Sequence, residues 1–421
     1  MDSIPLILFL LVFILILFGY PVALTLGGIS ILAGLLFFDI DFFYLVSLRI
    51  YGIMNNFVLL AVPLFVFMGL TLEKSGIAER LLETMAILFG KIKGGLAYSV
   101  VIVGGMLAAS TGIVGATVVT MGLISLPTML KRGYDAKLAT GVIASSGTLG
   151  QIIPPSVVLV LLGSVLNVSV GNLFISALLP GITLVFLYLI YIGIKTQFSP
   201  SSAPAMPAEM IKEFKEKTSI TNIINAFLLP FILIFAVLGS IFLGIASPTE
   251  AAGIGAAGAL LLSAIQGSIN VKKIKDISAE TTKLTSIVFM ILLGATSFSL
   301  VFRGLEGDKI LVDMITASNL TPEMFLFYIL IVVFIAGFFI DFIEIIFIIV
   351  PVIAPILIAL DIDLIWVGIM LAINLQTSFL TPPFGFSLFY LKSVSPKEIT
   401  TTDISVSYTH LRAHETVLDL V

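Results

Sequence analysis

The sequence predicts an all-α polytopic membrane protein, built as an inverted repeat with two re-entrant helical hairpins and two broken helices. Three observations lead there: charge is scarce, apolar runs recur at bilayer length, and helix-breaking residues repeat in order at a near-constant offset. Of 421 residues, 59% are hydrophobic and 11% charged, and the mean hydropathy is +1.20. A soluble domain carries roughly 25% charged residues, so this chain has too few to face a core of this size with water. The bilayer is therefore its solvent, which excludes a soluble enzyme, a nucleic-acid binder and a disordered chain. With no cysteine, disulfides, thiolate metal sites and cysteine nucleophiles are excluded too. The two histidines, His410 and His414, lie in the last twelve residues and leave the apolar body without histidine chemistry.

Taken in order, the first apolar run has no Lys or Arg before it, so it reads as a retained span and not as a secretory signal. A span needs about 20 mostly apolar residues. Runs of that kind lie near 4–20, 22–38, 57–72, 139–166, 172–194, 226–245, 249–266, 284–302 and 366–391. Two more, 94–130 and 321–360, are too long for one helix and are interrupted midway, the first by Ala108-Ala109-Ser110-Thr111-Gly112, the second by Ala336-Gly337 and Asp341. Each divides into arms of roughly 15 residues, about 22 Å at 1.5 Å per residue, short of the roughly 30 Å hydrocarbon core. Two short arms with a polar tip read as a re-entrant hairpin; two ordinary spans joined by a tight turn are the alternative. Flanking charge favours the hairpins. Arg80, Lys91 and Lys93 precede the first, and Lys131, Arg132 and Lys137 follow it, so both flanks belong on the cytoplasmic side. The immediate flanks of the second, Ser318–Glu323 and Asp361–Asp363, hold no cation and belong outside. The lysine-bearing loops near 195–217 and 272–283 then fall inside, while Arg303, Glu306, Asp308 and Lys309 read as an exposed loop.

The breakers recur. Pro21 pairs with Pro248 and Gly28 with Gly255 at an offset of 227, Gly69 with Gly294 at 225, Pro127 with Pro351 at 224, and Pro154-Pro155 with Pro382-Pro383 at 228. The halves carry opposite flanking charge, so the repeat is inverted, the architecture of secondary transporters with a midplane site. The expected organisation is a first repeat over 1–197, with hairpin 94–130 and broken helix 139–166. A solvated cytoplasmic linker over 198–222 and a second repeat over 223–404, with hairpin 321–360 and broken helix 366–391, complete it. The repeat also predicts a last span near 400–421, but that stretch carries Asp403, Arg412, Glu415, Asp419 and both histidines. Residues 405–421 therefore read as an atypical tail, truncated or artefactual, and are set aside.

Helix breaks at membrane depth free backbone groups, which are tolerated only against protein or a polar cavity. Four breaks qualify. The first is the tip Ser110, Thr111, Gly112, Gly115 and Thr117, whose hydroxyls and carbonyls are hard oxygen donors suited to Na⁺; close helix packing by small residues is the alternative. The second is Ser145, Ser146, Gly147 and Thr148, running to Gln151 and Pro154-Pro155. The third is Gly337 to Asp341 and Glu344, two carboxylates three residues apart on one helix face; intramembrane acids are costly and usually functional. The fourth is Asn374, Gln376, Thr377, Ser378 and Thr381 before Pro382-Pro383. Glu250 after Pro248, and Asn55-Asn56 before the span at 57, read as helix caps. No G-x-x-x-x-G-K-[ST] loop is present, so ATP is not expected to drive the chain.

These motifs together carry a family resemblance. Ala109-Ser110-Thr111-Gly112, Leu126-Pro127-Thr128-Met129-Leu130-Lys131-Arg132-Gly133-Tyr134-Asp135, Gly147 to Ser156, Ser247-Pro248-Thr249-Glu250-Ala251-Ala252 and Asn374 to Gly385 resemble the large membrane subunit of the tripartite ATP-independent periplasmic (TRAP) transporters, over roughly residues 4–404. The resemblance implies an elevator-type, Na⁺-coupled importer of organic acids in the bacterial inner membrane, within the ion-transporter superfamily. It would need no cofactor beyond Na⁺ as coupling ion. It also implies a soluble periplasmic solute-binding protein that delivers the substrate and a small four-helix membrane subunit that braces the large one. By the same resemblance, the tip Ser110–Thr117 with Ser145–Pro154 would form one Na⁺ site. Gly337–Asp341 with Gln376, Thr377, Ser378 and Thr381 would form its mirror. The chain departs from some family members in having Gly115-Ala116-Thr117 where they carry an acid. The rival readings are a standalone anion symporter, an intramembrane enzyme, for which only Asp341 and Glu344 offer chemistry, and a channel.

Overall fold

The computed structural model describes residues 3–111, 114–207, 209, 211–212, 220–317, 320–382, 385–401 and 403–404. Among them every regular element is helical. The first half runs α1 (Ile4–Leu17), α2 (Val22–Phe37), α3 (Phe42–Met54), α4 (Ala61–Lys74), α5 (Ile77–Leu88), α6 (Gly95–Thr111), α7 (Val114–Lys131), α8 (Ala136–Thr148), α9 (Val157–Leu166) and α10 (Val170–Phe198). The second runs α11 (Ile220–Phe242), α12 (Pro248–Ile265), α13 (Val271–Gly304), α14 (Gly307–Ala317), α15 (Pro322–Ala336), α16 (Phe342–Ile348), α17 (Val350–Ala359), α18 (Leu364–Phe379) and α19 (Phe386–Val394). The expected caps are in place. Asn56 accepts from the Val58 N–H, and Ser247 and Glu250 form a reciprocal capping box at the start of α12.

Large apolar side chains stand exposed along the outer helices, among them Leu24, Leu36, Leu179, Phe186, Phe235 and Phe327. A surface of this kind is tolerated only by lipid or by another protein. Five stretches among the described residues are each long and apolar enough to cross a bilayer: Phe57–Lys74, Val114–Lys131, Val170–Phe198, Pro248–Ile265 and Val271–Gly304. The protein is thus a multi-pass membrane protein. The expected spans at 4–20 and 22–38 are shorter, 14 and 16 residues, because the Gly19-Tyr20-Pro21 turn separates them.

Three expectations are corrected and one detail is added. The arms of the first interrupted run have 17 and 18 residues, and α7 alone is long enough to cross, so arm length does not force re-entry there. The return arm of the second is not straight: α16 and α17 meet at Ile349 with a bend of 49°, next to Pro351, which has no N–H for the helical ladder. The lysine-bearing stretch 272–283 is not a loop but the opening turns of the 34-residue α13. Asn270 caps it by accepting from the Lys273 N–H, and the Lys74–Glu280 ion pair docks it on α4. Likewise Arg303 closes α13 while Asp308 and Lys309 open α14, so the exposed loop reduces to Leu305 and Glu306.

The linker is also not wholly solvated. Ser202 and Ala203 are buried, and the backbone around them straps the two ends of the α6–α7 pair together. The Gly94 N–H donates to the Ala203 carbonyl (2.9 Å), the Asp135 N–H to the Ser202 carbonyl (2.8 Å) and the Met206 N–H to the Gly90 carbonyl (2.8 Å). Gly94 holds φ +78°, a conformation open to glycine. Tyr134 seals the strap: its buried hydroxyl accepts from the Leu96 N–H at 3.2 Å, one of the first-turn amides of α6 that has no helical partner. Burial pushes the Tyr134 phenol above the usual tyrosine range, so it stays neutral. Tyr134→Phe should strand that amide and destabilise the fold by about 1–3 kcal/mol. Thermal unfolding in detergent should show a midpoint a few degrees lower; an unchanged midpoint would remove this role.

Candidate functional site

The site is assembled by crossed packing of the interrupted segments. α8 lies against both α6 and α7, because glycines allow close approach: a β-carbon on Gly104 would come within 2.5 Å of the Ser146 Cβ, and one on Gly147 would strike Val118. The chain then leaves the helix through a 3₁₀ turn, Leu149–Gln151, and a cis Pro154–Pro155 bond. α9, which follows that break, packs on α16, α17 and α18 of the second half. Reciprocally, α19, which follows the second break, packs on α7 and α8 of the first.

Most polar residues of the two breaks are sealed from solvent; Asn374 and Thr377 are half-buried. Ser145, Ser146, Thr148, Gln376, Ser378 and Thr381 are each no more than 5% exposed, and Thr117 is equally buried. Their hydroxyls donate backwards along their own helices. Ser145 bonds the Gly141 carbonyl (2.8 Å), Ser146 that of Val142 (2.5 Å) and Thr148 that of Ser145 (2.8 Å). In α18, Thr377 bonds the Ile373 carbonyl (2.8 Å), Ser378 that of Leu375 (2.9 Å) and Thr381 that of Thr377 (2.8 Å). Each hydroxyl proton is thereby committed, and each oxygen keeps acceptor capacity. Oxygens of this kind can meet a cation or a donor but not a second acceptor.

The second tip is held against this wall. Gly337 lies so close to Ser378 that a β-carbon there would come within 2.7 Å of the Ser378 Cβ. Asp341 and Glu344, both half-buried, form a capping box at the start of α16: Asp341 accepts from the Phe342 N–H at 2.6 Å, and Glu344 accepts from the Asp341 N–H at 3.2 Å. The expected break at Ala336-Gly337 and Asp341 therefore coincides with the observed one. In the first tip, Gly115 meets α19 and Thr117 faces inward, whereas Gly112 and the side chains of Ser110 and Thr111 lie outside the described residues. So does Pro383 of the second proline pair. Pro154 is buried within the first break.

Gln151, named above only as part of the first proline-pair break, and Tyr188, not named there, belong to the same region. Gln151 is fully buried, and neither its amide nitrogen nor its amide oxygen has a partner among the described residues. Gln376 donates to the Tyr188 hydroxyl of α10 at 3.3 Å, while its own oxygen is buried without a partner among the described residues. The signal for Gln151 was a carboxamide in an apolar run, a group that needs up to four hydrogen bonds; Tyr188 carried no signal. Among the described residues no cluster of three or more His, Cys, Asp or Glu could hold a metal ion.

A profile of the tripartite ATP-independent periplasmic transporter DctM component matches residues 9–411. The chain belongs to that family. The C4-dicarboxylate TRAP transporter large permease DctM of Pseudomonas aeruginosa is 31% identical over 369 residues, 87% of this chain and 84% of its own. The sialic acid TRAP transporter large permease SiaM of Vibrio cholerae is 29% identical, over 82% of this chain and 79% of its own. The ectoine TRAP transporter large permease TeaC of Halomonas elongata is 30% identical, over 79% and 76%. In fold, the chain is similar to the Alcanivorax borkumensis YdaH transporter, with a TM-score of 0.61, 13% identity and coverage of 94% of this chain and 95% of that one. This DctM-family chain is a transporter permease and not an enzyme.

Proposed function

We propose that this permease imports organic acids across the bacterial inner membrane, driven by Na⁺ as coupling ion. Its partners would be a small four-helix membrane subunit and a periplasmic solute-binding protein that brings the substrate. The observation that carries this reading is the pair of sealed helix breaks, where committed hydroxyls leave a surplus of buried acceptor oxygens. Such a surplus suits a hard monovalent cation, and Asp341 adds a negative charge at the second tip. The repeat of breakers with opposite flanking charge supports an inverted architecture. The crossed packing of α9 and α19 supports movement of the interrupted segments as one body against the outer helices, in elevator fashion. The two Na⁺ positions of this reading lie among Ser110–Thr117 and Ser145–Pro154, and among Gly337–Asp341 and Gln376–Thr381. Cations that order both tips complete the anion site, so coupling is a difference in affinity between empty and loaded tips.

C4-dicarboxylates, sialic acid and ectoine, the compounds in the names of three relatives, all bear a carboxylate, which supports an organic acid as cargo. The test is uptake into proteoliposomes holding the chain and its small subunit, with the binding protein supplied outside. Replacing Na⁺ by K⁺ or choline should abolish uptake; persistent uptake would remove the coupling. Uptake undiminished without the binding protein would instead favour a standalone symporter.

A further inference from the structure

Tyr390 of α19 packs against the first tip, and neither the cation positions nor the packing accounts for its hydroxyl. Its ring lies end-on over Gly115 of the first tip: a β-carbon there would come within 2.9 Å of the ring carbon that bears the hydroxyl and within 3.0 and 3.2 Å of the two beside it. On its other side an aromatic series runs into the second tip. Tyr390 stands 6.5 Å from Phe386, Phe386 5.4 Å from Phe379, and Phe379 6.0 Å from Phe342, centroid to centroid. Phe342 is the residue whose N–H Asp341 caps. Among the described residues the Tyr390 phenol makes no hydrogen bond, and the side chain is only half-buried. Its hydroxyl is thus open to a partner from outside the chain.

We propose that the Tyr390 hydroxyl, held over Gly115 of the first tip, is a hydrogen-bond donor to a carboxylate of the transported anion. The proposal rests on the reading of the chain as an organic-acid carrier and deepens it. Apart from the Gln151 amide of the first break, the wall offers acceptors and few free donors. The Ser and Thr protons of both breaks are spent on carbonyls, and the unpaired oxygens of Gln376 and Asn374 only accept. A phenol is neutral at physiological pH and can donate without adding charge. Its place also orders the binding events. The aromatic series leads from Tyr390 to the tip that bears Asp341 and Glu344, and cations held there would lower the repulsion that an arriving anion meets. The same geometry that supplies the donor therefore makes anion affinity depend on Na⁺.

The test uses the complete complex in proteoliposomes, with labelled succinate, sialic acid and ectoine as probes, and compares the unaltered chain with Tyr390→Phe and Gly115→Ala. Tyr390→Phe keeps the ring and removes only the donor. It should raise the KM for the accepted probe at saturating Na⁺ by about tenfold, the effect of losing one hydrogen bond to a charged group, and leave half-saturation by Na⁺ in place. Gly115→Ala displaces the ring and should raise KM in the same direction, so it decides the matter if Tyr390→Phe fails to assemble. An unchanged KM in Tyr390→Phe would overturn the proposal while leaving the carrier reading intact. A shift confined to Na⁺ half-saturation would overturn it also, by assigning the phenol to the carboxylates. Uptake of none of the three probes by the unaltered complex would overturn the proposal together with the reading beneath it.

Discussion

Asp341→Asn should uncouple transport from Na⁺ while leaving the fold intact. The reasoning turns on the two tasks that this side chain can perform. As the N-cap of α16 it accepts from a backbone N–H and exchanges bonds with Glu344, and asparagine caps a helix about as well as aspartate. As a charge at the second tip it would neutralise a cation, which asparagine cannot do. If only the cap matters, Asp341→Asn behaves as the unaltered chain and Asp341→Ala loses about 1 kcal/mol of stability. If the charge matters, Asp341→Asn retains its melting temperature, and its apparent Na⁺ affinity falls on the order of 10- to 100-fold, as for the loss of a charged partner. Na⁺ titration of uptake, beside thermal unfolding of the same preparations, separates the two. Unaltered Na⁺ dependence in Asp341→Asn and also in Thr148→Ala would dismiss both proposed cation positions.

The second large effect is steric. Gly337→Ala should reduce Na⁺-dependent uptake by about tenfold or more. The added methyl group would meet the Ser378 hydroxyl and lie 2.7 Å from its Cβ, and overpacking of this kind disturbs a site by roughly 1–3 kcal/mol. Gly337 has ordinary helical φ and ψ, so the backbone is not strained by alanine; only the approach of the second tip to α18 is lost. Ser378→Gly in the same chain should then restore part of the uptake, less the roughly 0.5–1 kcal/mol that glycine costs inside a helix. A double-mutant cycle over the two positions reads the coupling directly. Purely additive losses would mean that the tip and α18 do not work as a contact.

Much of the fold was legible because bilayer length and helix breakers leave unambiguous marks. The helices of both interrupted runs begin and end within a few residues of the expected limits, and the second tip opens at Gly337 and closes with Asp341 as a helix cap. The cap at Asn56 and the capping box at Ser247 were readable for the same local reason. What escaped was tertiary. No apolar run of bilayer length marks α3, α5 or α14, which are 13, 12 and 11 residues long. The charged opening of α13 looks like a loop until Glu280 finds Lys74 on another helix. The strap at Ser202 and Ala203 has the composition of a solvated joint, and only its hydrogen bonds to Gly94 and Asp135 reveal otherwise. The hydroxyl-bearing breaks could be named from sequence, but not Tyr390, one aromatic among many in apolar surroundings. Its meaning comes from the approach of Gly115, more than 270 residues earlier in the chain.

Exchange of α9 and α19 between the halves bears on how the protein is made. When the first ten helices have left the ribosome, α9 has no α16, α17 or α18 to rest on, and Gln151 is walled off on fewer sides. The nascent bundle must then wait in the lipid with polar groups incompletely sheltered until its second half is inserted. Synthesis of this permease is thus expected to lean on the insertion machinery during that interval, and a chain halted near the strap should be recognised as unfinished and degraded.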